Sequence, residues 1–304
     1  MEQDLIQELK QALTLGIDLS DELVESLSGL TDAPRAQFDE FWRELDADQR
    51  VALVHRLAEA TEENVVLDFA WIHGLVLADP DPVVRELGLR LAAVEPRREL
   101  LDTYLYTAAA DPDPDVRVAA LEELSAYTLL AGTEDWPAAL QQQLETALVG
   151  ALHLPNAPLA ARTAALLSLA YLTTDRSEQE IRQAHLQPDL REAAIEAMGR
   201  NCQEIWIPDL LAELEDDDPD LRLAAVQAAA ELEDEGLVPR LAAMMHDPDF
   251  DVRMAAIAAL GTVGGDDAKG LLADLMKSQD KPLRDAARTA IERLLEDEDP
   301  FKLM

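Results

Sequence analysis

Histidine and cysteine side chains, which often act as bases, nucleophiles or metal ligands, are few and scattered in this sequence. The five histidines are His55, His73, His153, His185 and His246. Only His246 precedes an acidic residue, Asp247, and this pair stands directly before a helix-capping segment, which favours a structural role. Cys and His residues at metal-ligand spacing, a phosphate-binding Gly-rich loop and a nucleophile elbow are all missing from the sequence. The sequence therefore predicts a protein that is not an enzyme, with no catalytic, cofactor-binding or metal-binding residue.

Alternating carboxylates suggest calcium chemistry at one place. Asp111, Asp113 and Asp115 are followed by Glu122 at the twelfth position, as in a calcium loop. Val116 stands where such a loop needs glycine for its sharp turn, and two prolines stiffen the segment. Helix capping explains the same aspartates, so we expect caps and not a calcium site.

One arginine recurs along most of the chain at an almost fixed spacing. Its copies are Arg85, Arg117, Arg162, Arg191, Arg222, Arg253 and Arg284, with steps of 32, 45, 29, 31, 31 and 31 residues. A fixed period near 31 is the sequence sign of a solenoid built from small helical units.

The residues around the arginine predict how each unit folds. The segment 247–256 reads DPDFDVRMAA, in which Asp and Pro start a helix and two alanines continue an apolar stripe. A cation in the first turn opposes the helix dipole, so we expect an anionic partner, a loop aspartate such as Asp220 or Asp251. The arginines are then a structural ladder between adjacent turns and not a row that binds a ligand.

These units resemble HEAT repeats of the short bacterial type, which also occur in phycobilin lyase subunits. The resemblance is carried by Asp-Pro-x-x-x-Val-Arg with Ala-Ala behind it and covers about residues 79–295. It implies an all-α fold, a right-handed α-solenoid (superhelix) of antiparallel HEAT-like helix pairs. It also implies an alternative to a binding scaffold, a tetrapyrrole lyase or isomerase or another HEAT-repeat enzyme subunit. A second alternative is a structural assembly protein that associates through its terminal repeats. The His-Glu pairs that mark the iron-binding hydroxylases with this repeat are missing.

The repeats divide the chain into three predicted parts. These are a helical N-terminal cap with a degenerate repeat over 1–78, the HEAT-like repeats over 79–295 and an acidic C-terminal tail over 296–304. Arg50 stands 35 residues before Arg85 and places the degenerate repeat. Five aromatic residues concentrate in the predicted cap, namely Phe38, Phe41, Trp42, Phe69 and Trp71. We expect them to form the core of the cap, with a docking surface as the alternative.

The step of 45 residues between Arg117 and Arg162 predicts an insertion. The 14 extra residues fall around Thr128–Ala138, which we expect to be a longer loop. Insertions in repeat proteins tend to emerge on one face. Trp136 is therefore either an exposed contact residue or a side chain packed against the helix at 141–154.

The charge of the chain restricts its partners. Its 62 acidic and 25 basic residues give a formal net charge of −37, which opposes binding to nucleic acid or to an anionic membrane surface. A basic protein partner suits this charge, although the solubility of a long open molecule or a high-salt host would also account for it. A single cysteine, Cys202, and an N-terminal sequence unlike a signal peptide predict a cytoplasmic protein.

The expected function is a non-catalytic scaffold that binds a protein partner through a concave acidic and apolar surface, and the charge favours a basic partner. In this architecture the second helix of each unit lines the concave side, and the residue after the arginine faces outward there. We expect a basic amphipathic helix or peptide to bind at apolar residues rimmed by carboxylates. Burial of the same side chains between helices is the alternative. The predicted binding residues are Val118, Glu122, Glu192, Glu196, Leu223, Gln227, Met254 and Trp136.

Overall fold

In the computed structural model of the protein, aspartates start the helices where the sequence predicts. The Asp249 side chain accepts hydrogen bonds from the backbone amides of Asp251 and Val252 at the start of the helix Phe250–Val263. Asp218 accepts from the amide of Asp220 at the start of the helix Pro219–Glu231. Asp113 accepts from Asp115 and Val116, so its role is the predicted cap. The structure describes residues 2–17, 19–30, 32–64, 66–91, 96–133 and 136–298, and these contain no β-strand.

The chain forms two compact units, Met1–Leu154 and Pro155–Met304. The α-helices of the first unit are α1 Glu2–Leu15, α2 Asp21–Glu25, α3 Asp32–Glu44, α4 Ala47–Glu63, α5 His73–Val76, α6 Pro82–Leu91, α7 Leu101–Ala110, α8 Pro114–Thr133 and α9 Ala138–Leu152. Those of the second unit are α10 Leu159–Leu169, α11 Asp175–His185, α12 Arg191–Asn201, α13 Ile207–Glu213, α14 Pro219–Glu231, α15 Val238–Met244, α16 Phe250–Val263, α17 Gly265–Leu275 and α18 Lys281–Glu298. The all-α fold is confirmed. The predicted boundaries at 78/79 and 295/296 stay predictions, and residues 299–304 of the predicted tail lie outside the described residues.

In the second unit, the helices that begin at a ladder arginine stack side by side. Helix α12 packs on α14, α14 on α16 and α16 on α18. A shorter helix precedes α14, α16 and α18 in the chain, and α11, which precedes α12, has the same length as α12. Small side chains make this close packing possible. A Cβ added at Gly199 would lie 2.7 Å from the Ala228 Cα, and one at Gly261 would lie 2.9 Å from Ala290. We call these helices, together with α4, α6, α8 and α10, the second helices.

The recurring arginines form a ladder, which we define as their side-chain bonds to the start of their own repeat or of the next. Arg85 and Arg222 make both kinds of bond. Among the described residues, Arg162 and Arg191 bond only the next repeat, whereas Arg117, Arg253 and Arg284 bond only their own. The guanidinium of Arg222 makes two bonds to the Asp247 carboxylate at 2.8 and 2.9 Å and donates to the Asp216 carbonyl at 2.8 Å. Arg85 binds Asp111 and the Asp79 carbonyl in the same manner. The bond from Arg222 holds the pKa of Asp247 below its usual range. The ladder therefore joins successive repeats at buried carboxylates.

The prediction that Asp220 and Asp251 are the acidic partners of the arginines is wrong. Both residues are exposed in the first turn of a helix, where their amides are bonded by the capping aspartates. The aspartates that bind the arginines lie in the turn before the next repeat's second helix, six residues before the arginine of that repeat. Asp79, Asp111, Asp216 and Asp247 share this position.

Other residue types replace the ladder aspartate at some positions of the second unit. His185 occupies the position six residues before Arg191, and its Nε2 lies 2.7 Å from Oε1 of the buried Glu213. Arg191 bonds Glu213 at 2.8 Å and Asp216 at 2.7 Å, while Arg162 bonds Asp189 at 2.7 Å. In the last repeat Ser278 takes the place of the aspartate.

The N-terminal aromatic residues form a core, as the sequence favours. Phe38, Phe41, Trp42 and Phe69 are buried, and the Trp42 indole donates to the Asp79 carboxylate at 3.1 Å. Arg50 bonds the same carboxylate at 3.1 Å, so the degenerate repeat begins with its own ladder arginine. The alternative of an exposed aromatic docking surface is wrong for these four side chains.

The predicted insertion is mainly a longer helix and not a loop. Thr128–Thr133 continues α8, because Tyr127, Thr128 and Ala131 are buried on one side of the helix. Glu134 and Asp135 lie outside the described residues. Trp136 is 5% exposed, with its ring centroid 6.4 Å from that of Tyr127 and the Arg98 guanidinium 4.9 Å away. The prediction of an exposed contact tryptophan is therefore wrong.

Buried His73 gives the first unit an acid sensitivity. Within the described part of the chain its two ring nitrogens have no hydrogen-bond partner. Burial, with a smaller contribution from Arg97, lowers the pKa of His73 from 6.5 to about 4. Because the unfolded chain binds this proton more readily, stability is complete above about pH 6.5 and is lost as the pH falls toward 4.

We expect this histidine to remove about 3 kcal/mol between pH 7 and pH 4, from a pKa difference of about 2.5 units. Urea unfolding of the wild type and of His73→Leu at several pH values measures the effect. The wild type should lose stability relative to the variant over this range. Parallel pH profiles would show that His73 titrates normally in the folded protein.

Candidate functional site

Helical spacing determines which residues of the second helices lie on their outward side. Residues one, five and nine positions after each ladder arginine lie on one line along a helix, because four residues make about one turn. We call this surface in the second unit the second-helix face. It consists of Thr163, Leu167 and Tyr171 on or directly after α10, Glu192, Glu196 and Arg200 on α12, Leu223, Gln227 and Glu231 on α14, Met254, Ala258 and Thr262 on α16, and Asp285, Thr289 and Arg293 on α18.

Apolar side chains lie at the centre of the second-helix face. Leu223 and Met254 occupy the same position on the adjacent helices α14 and α16, and both are half-buried. Gln227 and Ala258, one turn further along, are exposed. These residues are thus partly covered by their neighbours and partly open to solvent.

Carboxylates lie on the helices to either side of this centre. Glu192 is exposed on α12, and Asp285 is half-buried on α18. Glu196 accepts a bond from Arg200 at 2.6 Å, and the Arg200 guanidinium lies 5.8 Å from the Tyr171 ring centroid. Glu231 is exposed as a whole, but partial burial of its carboxyl raises its pKa, with Arg200 opposing and Glu196 adding to the shift.

The predicted site residues are divided between the two units. Glu192, Glu196, Leu223, Gln227 and Met254 all belong to the second-helix face. Val118 is half-buried and Glu122 exposed on α8, so both belong to the first unit. Trp136 is a core residue and is removed from the site.

Sequence reasoning missed the contact of Arg200 with Glu196 and Tyr171. The spacing of four residues between Glu196 and Arg200 indicates their bond. Tyr171 lies in the turn after α10, far from Arg200 in the sequence, so no spacing in the sequence reveals it.

Surface cavities elsewhere on the two units include one of about 880 Å³ between α1 and α4, one of about 480 Å³ between α7 and α9, and one of about 300 Å³ along α11. In the described part of the chain, no group of three His, Cys, Asp or Glu residues is arranged to hold a metal ion. Within the same residues, no helix is long and apolar enough to span a bilayer.

Comparison with known families supports the repeat structure directly. Residues 207–292, which contain α13–α17 and most of α18, match the family model of HEAT repeats. This part of the chain consists of HEAT repeats. The match covers four features of the second unit, namely the α14–α16–α18 stack, Leu223, Met254 and the Arg222–Asp247 bond.

Solved structures align with most of this chain at low identity. YibA of Escherichia coli is 16% identical with a TM-score of 0.48, covering 91% of this chain and 97% of its own. Human deoxyhypusine hydroxylase, solved with glycerol, is 17% identical with a TM-score of 0.31, covering 97% of each chain. A chain of the Pds5–Scc1 complex is 11% identical with a TM-score of 0.39, covering 99% of this chain and 51% of its own. With TM-scores below 0.5, these likenesses assign no activity to this chain. No protein of curated function matches the sequence.

Replacing Leu223 or Met254 by Asp should leave the fold intact. We expect each substitution to cost about 1 kcal/mol or less, because each side chain already contacts solvent. The buried Leu241 is the matched control, and Leu241→Asp should cost more than about 3 kcal/mol. Urea unfolding measures all three. Equal losses in the three variants would assign Leu223 and Met254 to the core.

Proposed function

We propose that this protein is a non-catalytic scaffold that binds a basic helix or peptide of a protein partner on the second-helix face. The observation that supports it most is the half-buried pair Leu223 and Met254, on adjacent helices, with carboxylates on the helices to either side. An apolar centre with a charged rim is the usual anatomy of a protein-binding surface.

The charge of the chain supports a basic partner. A formal net charge of −37 attracts cationic proteins over long distances and raises their association rate at low salt. Glu192 and Asp285 are positioned to bind Lys or Arg residues at the two ends of such a segment. The same charge opposes nucleic acid and anionic membranes as partners.

A cytoplasmic location belongs to this proposal. The described chain holds one cysteine, Cys202, which is free and exposed. A free exposed thiol is stable in a reducing compartment. The scaffold would then meet its partner in the cytoplasm.

Capture from a lysate of the native host tests this proposal, with three immobilised chains compared at two salt concentrations. These are the wild type, the double variant Leu223→Asp/Met254→Asp and the control Leu186→Asp, whose leucine is 82% exposed at the end of α11. We expect a basic protein to be retained by the wild type and the control, lost from the double variant and released at high salt. Equal retention by all three chains would contradict the proposed surface. A visible absorption band on the purified protein without any captured partner would contradict the scaffold role.

A further inference from the structure

The strongest unassigned feature is the groove along α4 in the first unit. Helix α4 packs closely on α6, whereas its contacts with α1 and α2 on the other side are sparse. The cavity of about 880 Å³ opens on that side, between α4 and α1. Its apolar lining comes from Leu13, Ile17, Leu19, Val51 and Ala52.

The ladder shows what the groove corresponds to in the repeat. Arg50 is the ladder arginine of α4 and Arg222 that of α14, so Ala52 matches Ala224 and Arg56 matches Ala228. In α14 both alanines are buried, and Ala228 faces Gly199 of the preceding second helix, α12. In α4 the matching Ala52 is exposed. The groove therefore lies on the side of α4 where a preceding second helix packs in the other unit.

Arg56 leaves this side of α4 accessible. A side chain of this size at the position of Ala228 would block a neighbouring helix if it extended outward. Its guanidinium instead bonds the Asp21 carboxylate and lies 3.4 Å from the Leu19 carbonyl oxygen. The cation is thereby held at the entry to α2, at one end of the groove.

The edges of the groove are acidic. Asp48 lines it near the start of α4, and Glu59 lines it one turn before the end of α4, beside His55 at 3.4 Å. Arg56 also lines the groove and is surrounded by Asp21 and Glu63, so the four carboxylates outnumber the one arginine. Asp48 and Glu59 are eleven residues apart on one helix, a separation of roughly 16 Å. A segment that fills the groove would therefore meet apolar surface in its middle and negative charge at both ends.

We propose that this groove binds one amphipathic helix of a basic protein partner, lying along α4 in the position of a preceding second helix. Small or apolar residues of that helix contact Val51 and Ala52. Its Lys or Arg residues, about eleven positions apart, lie against Asp48 and Glu59. This site lies in the first unit and involves no residue of the second-helix face, so it does not depend on the function proposed above.

Three synthetic peptides of 18 residues test the proposal on the full chain by fluorescence anisotropy. The first is a helix with leucine and alanine on one side and lysine on the other. The second has the same composition in an order that destroys the apolar stripe, and the third replaces each lysine by glutamate. Two protein variants accompany them, Ala52→Trp, which fills the groove, and the control Ala243→Trp, whose alanine is exposed on α15.

In the Leu223→Asp/Met254→Asp background, where the second-helix face does not compete for a basic amphipathic peptide, we expect one copy of the first peptide to bind at micromolar concentration, at least tenfold more tightly than the other two. Ala52→Trp should weaken this binding at least tenfold, and Ala243→Trp should leave it unchanged. Equal binding of the first two peptides would reduce the effect to net charge and overturn the proposal. The proposal would also be overturned if Ala52→Trp left the affinity for the first peptide unchanged, or if the first peptide did not bind the protein at about 100 µM. Concentration-dependent dimerisation of the chain that Ala52→Trp abolishes would overturn it in favour of a second copy.

Discussion

The bond between an arginine in one repeat and a buried aspartate at the start of the next is the interaction on which the structure depends. Arg222 shows its full form, with two bonds to the Asp247 carboxylate and one to the Asp216 carbonyl. The same aspartate accepts the amide of Asp249, which then caps α16. One carboxylate therefore fixes the turn, the start of the helix and the relation to the previous repeat. Because the arginine stands in the first turn, where the helix dipole disfavours a cation, the aspartate also compensates a local electrostatic cost.

The ladder explains how a chain with few large side chains can present a regular surface. Aromatic residues are only 4% of the sequence, and the second helices approach through alanine and glycine, as at Gly199 and Ala228. Once the arginine is fixed, the residue after it points outward in every repeat. Leu223 and Met254 occupy matching positions on adjacent helices because each directly follows a ladder arginine. Helix α18 differs from α16 on one side. Arg288 and Glu292 of α18 occupy the repeat positions of Ile257 and Gly261 of α16, but the α18 residues are exposed whereas those of α16 are buried. This polar side of α18 favours a partner bound on the second-helix face or along α4 over self-association of the chain through its last repeat.

Much of this could be predicted because the repeat is written in short-range patterns. The period near 31, the Asp-Pro helix starts and the paired alanines predicted the all-α repeat and its ladder. The acidic partner of each arginine was predicted wrongly, since Asp220 and Asp251 are near in sequence whereas Asp247 is near in space. The recurrence of Asp six residues before the arginine carried the correct signal. Trp136 was misassigned because the extra residues lengthen α8 and bring its ring against Tyr127. The contact of Arg200 with Tyr171 and the groove along α4 depend on packing between helices, which no local pattern encodes.

A double-mutant cycle on Arg222 and Asp247 tests the central claim most directly. The variants Arg222→Met, Asp247→Asn and their combination are compared by urea unfolding with the same cycle on Arg240 and Glu215, using Arg240→Met and Glu215→Gln. That second pair also joins successive repeats, with its atoms 3.0 Å apart, but both side chains are largely exposed. The ladder predicts a coupling energy of about 1–2 kcal/mol for the buried pair and less than about 0.5 kcal/mol for the exposed pair. Equal coupling energies in the two cycles would show that the ladder does not hold the repeats together.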